Sequence, residues 1–62
     1  MTKTDSDFIQ LLADGHSTKE LAQISKYQES SIGVVRRRLV QKYDAKNAAN
    51  LIALAFRGGY IK

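Results

Sequence analysis

Apolar residues recur along this chain at intervals of three and four positions, and no apolar and polar alternation persists long enough to suggest a strand. Breaks that contain glycine or polar residues divide this pattern into four segments. The predicted helices cover residues 5–13, 18–25, 29–43 and 48–57. We therefore expect an all-α, four-helix domain that occupies residues 1–62 as a single unit.

Capping residues indicate where the first two helices begin and end. Thr4, with Asp7 three positions later, can cap the first helix, and Gly15 can end it in the left-handed conformation. Ser17 and Glu20 have the spacing of a capping box at the start of the second helix. Because the second helix is only about two turns long, it needs tertiary packing to be stable.

The helical spacing also predicts which side chains face the core. After the last helix, Tyr60 and Ile61 are expected to fold back against that core. The core residues expected in the first three helices are Phe8, Leu11, Leu12, Leu21, Ala22, Ile24, Ile32, Val35, Leu39 and Tyr43.

The second and third helices have the form of a helix-turn-helix. A short helix is followed by a turn of three or four residues and then by a longer helix with three successive arginines. The net charge is +4, and after Glu29 the only acidic residue is Asp44. This excess of positive charge in the second half favours a polyanionic partner such as nucleic acid.

The segment 11–22, LLADGHSTKELA, resembles the pattern LLAxGxSxKEIA of the LuxR/FixJ/GerE-type helix-turn-helix domains. Further along, residues 42–47, KYDAKN, and residues 57–61, RGGYI, are similar to the KLGVRNR and RHGLI segments of that family. The resemblance runs from about Phe8 to Ile61 and implies a DNA-binding domain whose third helix, around residues 32–41, enters the major groove. It departs from the family at Gly33, where a polar side chain often faces DNA.

The resemblance implies that Arg37 shares the groove-facing side of the third helix with Gly33 and Val34. Arginine can bind both acceptors of a guanine edge, and the arginines on either side of Arg37 could reach phosphates. The alternative is that the basic run is only a solvated helix face. The predicted DNA-binding residues are Ser30, Ser31, Gly33, Val34, Arg36, Arg37, Arg38, Lys42 and Lys46.

The fourth helix, which Asn47 can cap, is apolar on nearly all sides. A helix of this kind is normally buried all round, which is difficult in so short a chain. A homodimer contact is therefore predicted, as the family resemblance also implies, although complete coverage within a monomer is the alternative. The predicted interface consists of Ala49, Ile52, Ala53 and Phe56.

Several other classes of function lack the residues they need. There is no cysteine and one histidine, His16, and no carboxylates cluster around that histidine, so we expect no metal site and no cofactor. No nucleophile and base arrangement or glycine-rich phosphate loop is present, so we do not expect an enzyme. The polar first residues do not resemble a signal peptide, and the chain has no long apolar run, so we expect a cytoplasmic protein.

Three functions remain for comparison. The leading hypothesis is a transcription regulator that binds double-stranded DNA as a homodimer. A second is a small adaptor or antiactivator that binds another transcription regulator through its apolar fourth helix. The third is a role at an anionic membrane, but the apolar face of the third helix is needed for the core, so no membrane binding is expected.

Overall fold

Four α-helices and no strands make up the protein in the computed structural model, which describes residues 1–62. They are α1 (Lys3–Ala13), α2 (Thr18–Ile24), α3 (Glu29–Lys42) and α4 (Ala48–Arg57). The predicted all-α, four-helix fold is therefore confirmed. Apart from the start of α1, the end of every helix lies within one residue of its predicted position.

α1 begins two residues earlier than predicted. Thr2, rather than Thr4, is the N-cap, and its hydroxyl accepts a hydrogen bond from the Asp5 amide at 3.1 Å. Both threonines are good cap residues, so the local sequence does not choose between them. Asp5 lies in the first turn of α1, and its carboxylate contacts the end of α3.

Side-chain caps begin α2 and α4 as predicted. The Ser17 hydroxyl accepts from the Glu20 amide at 3.2 Å, and the Glu20 carboxylate accepts from the Ser17 amide at 2.9 Å. Asn47 caps α4 by accepting from the Asn50 amide at 2.8 Å. Each cap satisfies a donor that the first turn of a helix leaves unpaired.

α2 packs against α3, while α1 and α3 both pack against α4. Residues 25–28 connect α2 to α3, and within them the Tyr27 amide donates to the Ser25 hydroxyl at 3.2 Å. A short helix, a tight turn and a longer helix in mutual contact form the helix-turn-helix that the sequence predicts.

The core lies where the four helices meet and contains no polar side chain. α3 supplies three core residues at helical spacing, and Ile61 closes the core from the C-terminal side of α4. The buried side chains are Phe8, Ile9, Leu21, Ile32, Val35, Leu39, Leu51, Ala55 and Ile61.

Two core predictions are wrong, and one buried residue of α1 was not predicted. Ile9 is completely buried, while Leu11 and Leu12 are partly buried and pack against the core. α1 packs against α4 on one side, and its Phe8 ring meets the Tyr27 ring edge-on. The most deeply buried side chains of α1 are therefore those of Phe8 and Ile9. Ile24, the last residue of α2, is 55% exposed, and the side chain of Tyr60 is 52% exposed.

The N-terminal turn of α1 is tied to the C-terminal end of α3 through one carboxylate. Asp5 accepts hydrogen bonds from the Lys42 ammonium at 2.8 Å and from the Tyr43 hydroxyl. The Asp5 side chain is only 13% exposed. Burial by itself would raise the pKa of Asp5, but hydrogen bonds from Lys42, Tyr43 and Thr2 outweigh burial and hold the pKa below its ordinary value.

Asp5→Asn is therefore expected to destabilise the protein at neutral pH and to have little effect in strong acid. A carboxyl with a depressed pKa stabilises the folded state above its unfolded-state pKa, and this contribution is lost as the pH falls through the folded-state pKa. We expect a cost of about 1 kcal/mol at pH 7, below the usual value for a charged hydrogen bond because Lys42 is half exposed. Thermal melts by circular dichroism at pH 7 and at about pH 2 measure the difference.

Asp7→Asn is the matched control for this prediction. Asp7 lies on the same helix and pairs with Lys3 at 3.2 Å, but both side chains are largely exposed. Exposed ion pairs contribute little to stability. Equal melting temperatures for the wild type and Asp5→Asn at neutral pH would rule out a stabilising role for the Asp5 contacts.

Candidate nucleic-acid interface

The side of α3 that faces away from the core is open to solvent. Ile32, Val35 and Leu39 point inward, and the residues between them form the opposite face. Val34 is 60% exposed although it is apolar. Ser31 is partly buried and lies toward one edge. The exposed residues of this face are Ser30, Gly33, Val34, Arg37, Arg38 and Gln41.

Arg37 and Arg38 carry charges that no acidic side chain of the protein neutralises. Both residues are exposed. The ion pairs of the molecule join Lys3 with Asp7 and Lys42 with Asp5, His16 lies 3.9 Å from Glu20 and pairs with it only when protonated, and none of these contacts includes an arginine. The solvent face of α3 is therefore a positively charged surface available to an external anion.

Arg36 differs from the two arginines that follow it. It is partly buried, and its Nε atom is shielded from solvent without a hydrogen-bond partner. A depression of about 350 Å³ lies beside it, at the seam between α3 and the start of α4. The lining residues are Gly33, Arg36, Arg37, Val40 and Ala48.

The two predicted lysines have different surroundings. The Lys42 ammonium pairs with Asp5 at 2.8 Å and lies 5.4 Å from the centre of the Tyr43 ring. Its hydrogen bond with Asp5 raises the pKa of Lys42 despite the opposing effect of desolvation. A phosphate would have to compete with Asp5 for this lysine. Lys46, between α3 and α4, is exposed and has no acidic partner.

The apolar helix α4 uses one side for the core and leaves another side accessible. Leu51 and Ala55 are completely buried. Of the four predicted interface residues, Ala49 and Phe56 are exposed, and Ile52 and Ala53 are partly buried. Phe56 is 63% exposed, whereas Ile52 also packs against the core.

Tyr60 also belongs to this accessible apolar surface, although the sequence predicted that it would fold back against the core. The chain turns after α4 through Gly59, which has a φ of 77°, and the Tyr60 amide donates to the Ala55 carbonyl at 2.9 Å. The Tyr60 ring then lies across Gly58, where a Cβ atom would come within 2.6 Å of a ring carbon. The absence of a side chain at Gly58 could have signalled this close approach. Phe56 and Tyr60 are thus exposed aromatic residues at the same end of α4.

Other surfaces offer less chemistry. A depression of about 520 Å³ lies between α1 and residues 24–27, and no residue of α3 lines it. His, Asp and Glu side chains do not gather anywhere in groups of three or more that could hold a metal ion. None of the four helices combines the length and the apolar character needed to cross a lipid bilayer.

Over 59 residues, 95% of its length, the chain is 30% identical to the uncharacterized response regulatory protein YgeK of Escherichia coli (strain K12). The aligned region spans about 40% of the length of that relative. No family model matches the chain. No solved structure matches it either.

Proposed function

We propose that this protein is a transcription regulator of the LuxR/GerE helix-turn-helix type, which binds double-stranded DNA in the cytoplasm with α3 in the major groove. The observation that carries this proposal is the solvent face of α3, where exposed arginines have no acidic partner. The likeness to a response regulatory protein supports it. In this proposal the protein uses no cofactor and is not an enzyme.

Five of the nine predicted contact residues have roles that follow from their positions. Arg37 lies between Gly33 and Gln41 on the exposed side and reads a base edge, most favourably a guanine. Arg38 lies to one side of this face and binds backbone phosphate. Ser30 and Ser31 are in the first turn of α3, where their hydroxyls suit a phosphate, although the Ser31 amide already donates to the Gln28 carbonyl at 2.9 Å. Lys46, which lies between α3 and α4, adds a positive charge that can contact backbone phosphate.

The proposal includes a homodimer that joins two copies through the accessible side of α4. Phe56 and Tyr60 are more than half exposed, and burial of aromatic rings stabilises association. In such a dimer, two α3 helices would enter successive major grooves roughly 34 Å apart. The preferred DNA site would then be close to a palindrome.

Fluorescence anisotropy with labelled duplex DNA over a range of salt concentrations tests DNA binding. We expect clear binding at low salt and a linear fall of log K with log salt concentration, with a slope of about −0.9 for each phosphate contacted. Absence of binding at low salt would contradict the proposal. The adaptor hypothesis, in which α4 binds another transcription regulator, would then be the one to pursue.

Arg37→Ala is expected to reduce discrimination at one base pair of the preferred site. Loss of one bidentate base contact should cost roughly 1–3 kcal/mol on the best site and much less on variants at that position. Arg38→Ala is the matched control, because loss of a phosphate contact weakens all duplexes about equally. Competition binding against single-base variants of a selected site measures both effects. If Arg37→Ala binds those variants in the same order of affinity as the wild type, Arg37 does not read a base.

A further inference from the structure

The depression at the seam between α3 and α4 combines positive charge with open space. Arg36 and Arg37 line it, and neither has an acidic partner. Its volume is about 350 Å³, and it is widely open to solvent. Glu29, one turn before Gly33, is not among its lining residues. A group that fills this space would meet the Arg36 guanidinium and no carboxylate, while Arg37 remains available for the base edge that the proposed function assigns to it.

Arg36, one of the residues that line the depression, has a hydrogen-bond donor without a partner at its Nε atom. This Nε atom is buried. Buried donors in folded proteins are nearly always paired, because an unpaired donor loses its hydration without replacement. An acceptor held in the depression would allow the Arg36 guanidinium to turn and pair its nitrogens.

The start of α4 adds further donors at the same place. Ala48 is the first residue of α4 and lines the depression. The Asn47 side chain caps the Asn50 amide, and neither the Ala48 amide nor the Ala49 amide donates to any acceptor in the protein. Free amides at the start of a helix favour an anion, and here they lie beside an arginine that lacks an acceptor.

Gly33 has no structural reason to be glycine. It lies inside α3 with helical backbone angles, and a Cβ atom built there would meet nothing within 4 Å. Glycine inside a helix lowers stability relative to alanine. The absence of a side chain leaves the α3 backbone beside Arg36 and Arg37 open to close approach from outside the protein.

We propose that Arg36 and the start of α4 hold one phosphate group of the DNA backbone in this depression, the phosphate seat, and that Gly33 keeps the approach to it open. This inference rests on the proposed function. It also gives Gly33 a role in DNA binding. Because this position has no side chain, the DNA strand can approach the α3 backbone more closely.

The DNA test uses Gly33→Leu, Arg36→Gln and the double variant in the same anisotropy assay. Leucine is a good helix former, so Gly33→Leu should raise the melting temperature by about 4–8 °C while it fills the approach to the seat. We expect each single variant to bind duplex DNA about tenfold more weakly, as for loss of a charged hydrogen bond. The double variant should be little worse than either single variant, because both remove the same contact.

The phosphate test is independent of DNA. Titration of inorganic phosphate into ¹⁵N-labelled protein should shift the amide signals of Gly33 and Ala48. Arg36→Gln should abolish these shifts. Arg38→Gln, which changes an exposed arginine that does not line the depression, should retain them.

The outcomes separate this inference from the proposed function. If the wild type binds DNA and both single variants bind it equally well, the phosphate seat is wrong and DNA binding stands. If the wild type does not bind DNA, the proposed function is wrong. In that case, phosphate shifts that depend on Arg36 would identify a seat for a free phosphate or another phosphorylated ligand, and their absence would overturn the seat as well.

Discussion

Leu39→Ala is expected to remove a large fraction of the stability of the protein and, through it, to weaken DNA binding. Leu39 is 1% exposed and lies in the core between α3 and its neighbours. A Leu to Ala change in a core costs about 2–5 kcal/mol, because it loses buried surface and leaves a cavity. A domain of this size has a free energy of unfolding of roughly 3–9 kcal/mol, so the loss is a large fraction of the total. Urea unfolding followed by circular dichroism measures it.

Val34→Ala is the control for this prediction. Val34 lies on the same helix and is also apolar, but it is 60% exposed. Its truncation should change the stability by no more than about 0.5 kcal/mol. An unfolding midpoint of Leu39→Ala equal to that of the wild type would mean that α3 does not pack as described.

Phe56→Asp is expected to convert a dimer to a folded monomer and to weaken binding to a two-half-site duplex by about 100-fold. Phe56 is 63% exposed, so an aspartate there stays hydrated in the monomer but would be desolvated in a dimer. With the dimer lost, the second half-site is no longer bound as an intramolecular event. Sedimentation equilibrium, circular dichroism and anisotropy on the same sample measure the three effects.

Ile24→Asp is the matched control, since Ile24 is similarly exposed but lies at the end of α2. It should leave the association state unchanged. Ile52→Asp is a poorer test than Phe56→Asp, because Ile52 packs against the core and its change would also destabilise the monomer. A persistent Phe56→Asp dimer would contradict the assignment of the α4 surface.

Much of the fold could be predicted because it depends on residues close together in the chain. The Ser17 and Glu20 capping box and the Asn47 cap are contacts over three residues. The buried positions Ile32, Val35 and Leu39 follow from the period of the helix alone. The solvent face of α3, and with it the candidate DNA surface, is simply the side opposite these positions.

Long-range packing decided what local patterns left open. Thr2 and Thr4 are equally good candidates for the α1 cap. In the structure Thr2 caps the helix, and Asp5 in the first turn contacts Lys42, 37 residues away. That same contact pairs Lys42, which was predicted to bind DNA, with a carboxylate of the protein itself. Which arginines of a continuous run are exposed also depends on neighbouring helices.

Periodicity and capping residues were enough to predict the four helices, the helix-turn-helix and the basic character of α3, because both are local properties of the chain. The packing of the helices, in contrast, leaves Arg36 partly buried with an unpaired Nε and keeps Phe56 and Tyr60 exposed at the end of α4. Burial depends on which elements meet, and local patterns do not specify this. A run of similar residues acquires different surroundings when α4 covers one side of α3 and leaves the other in water.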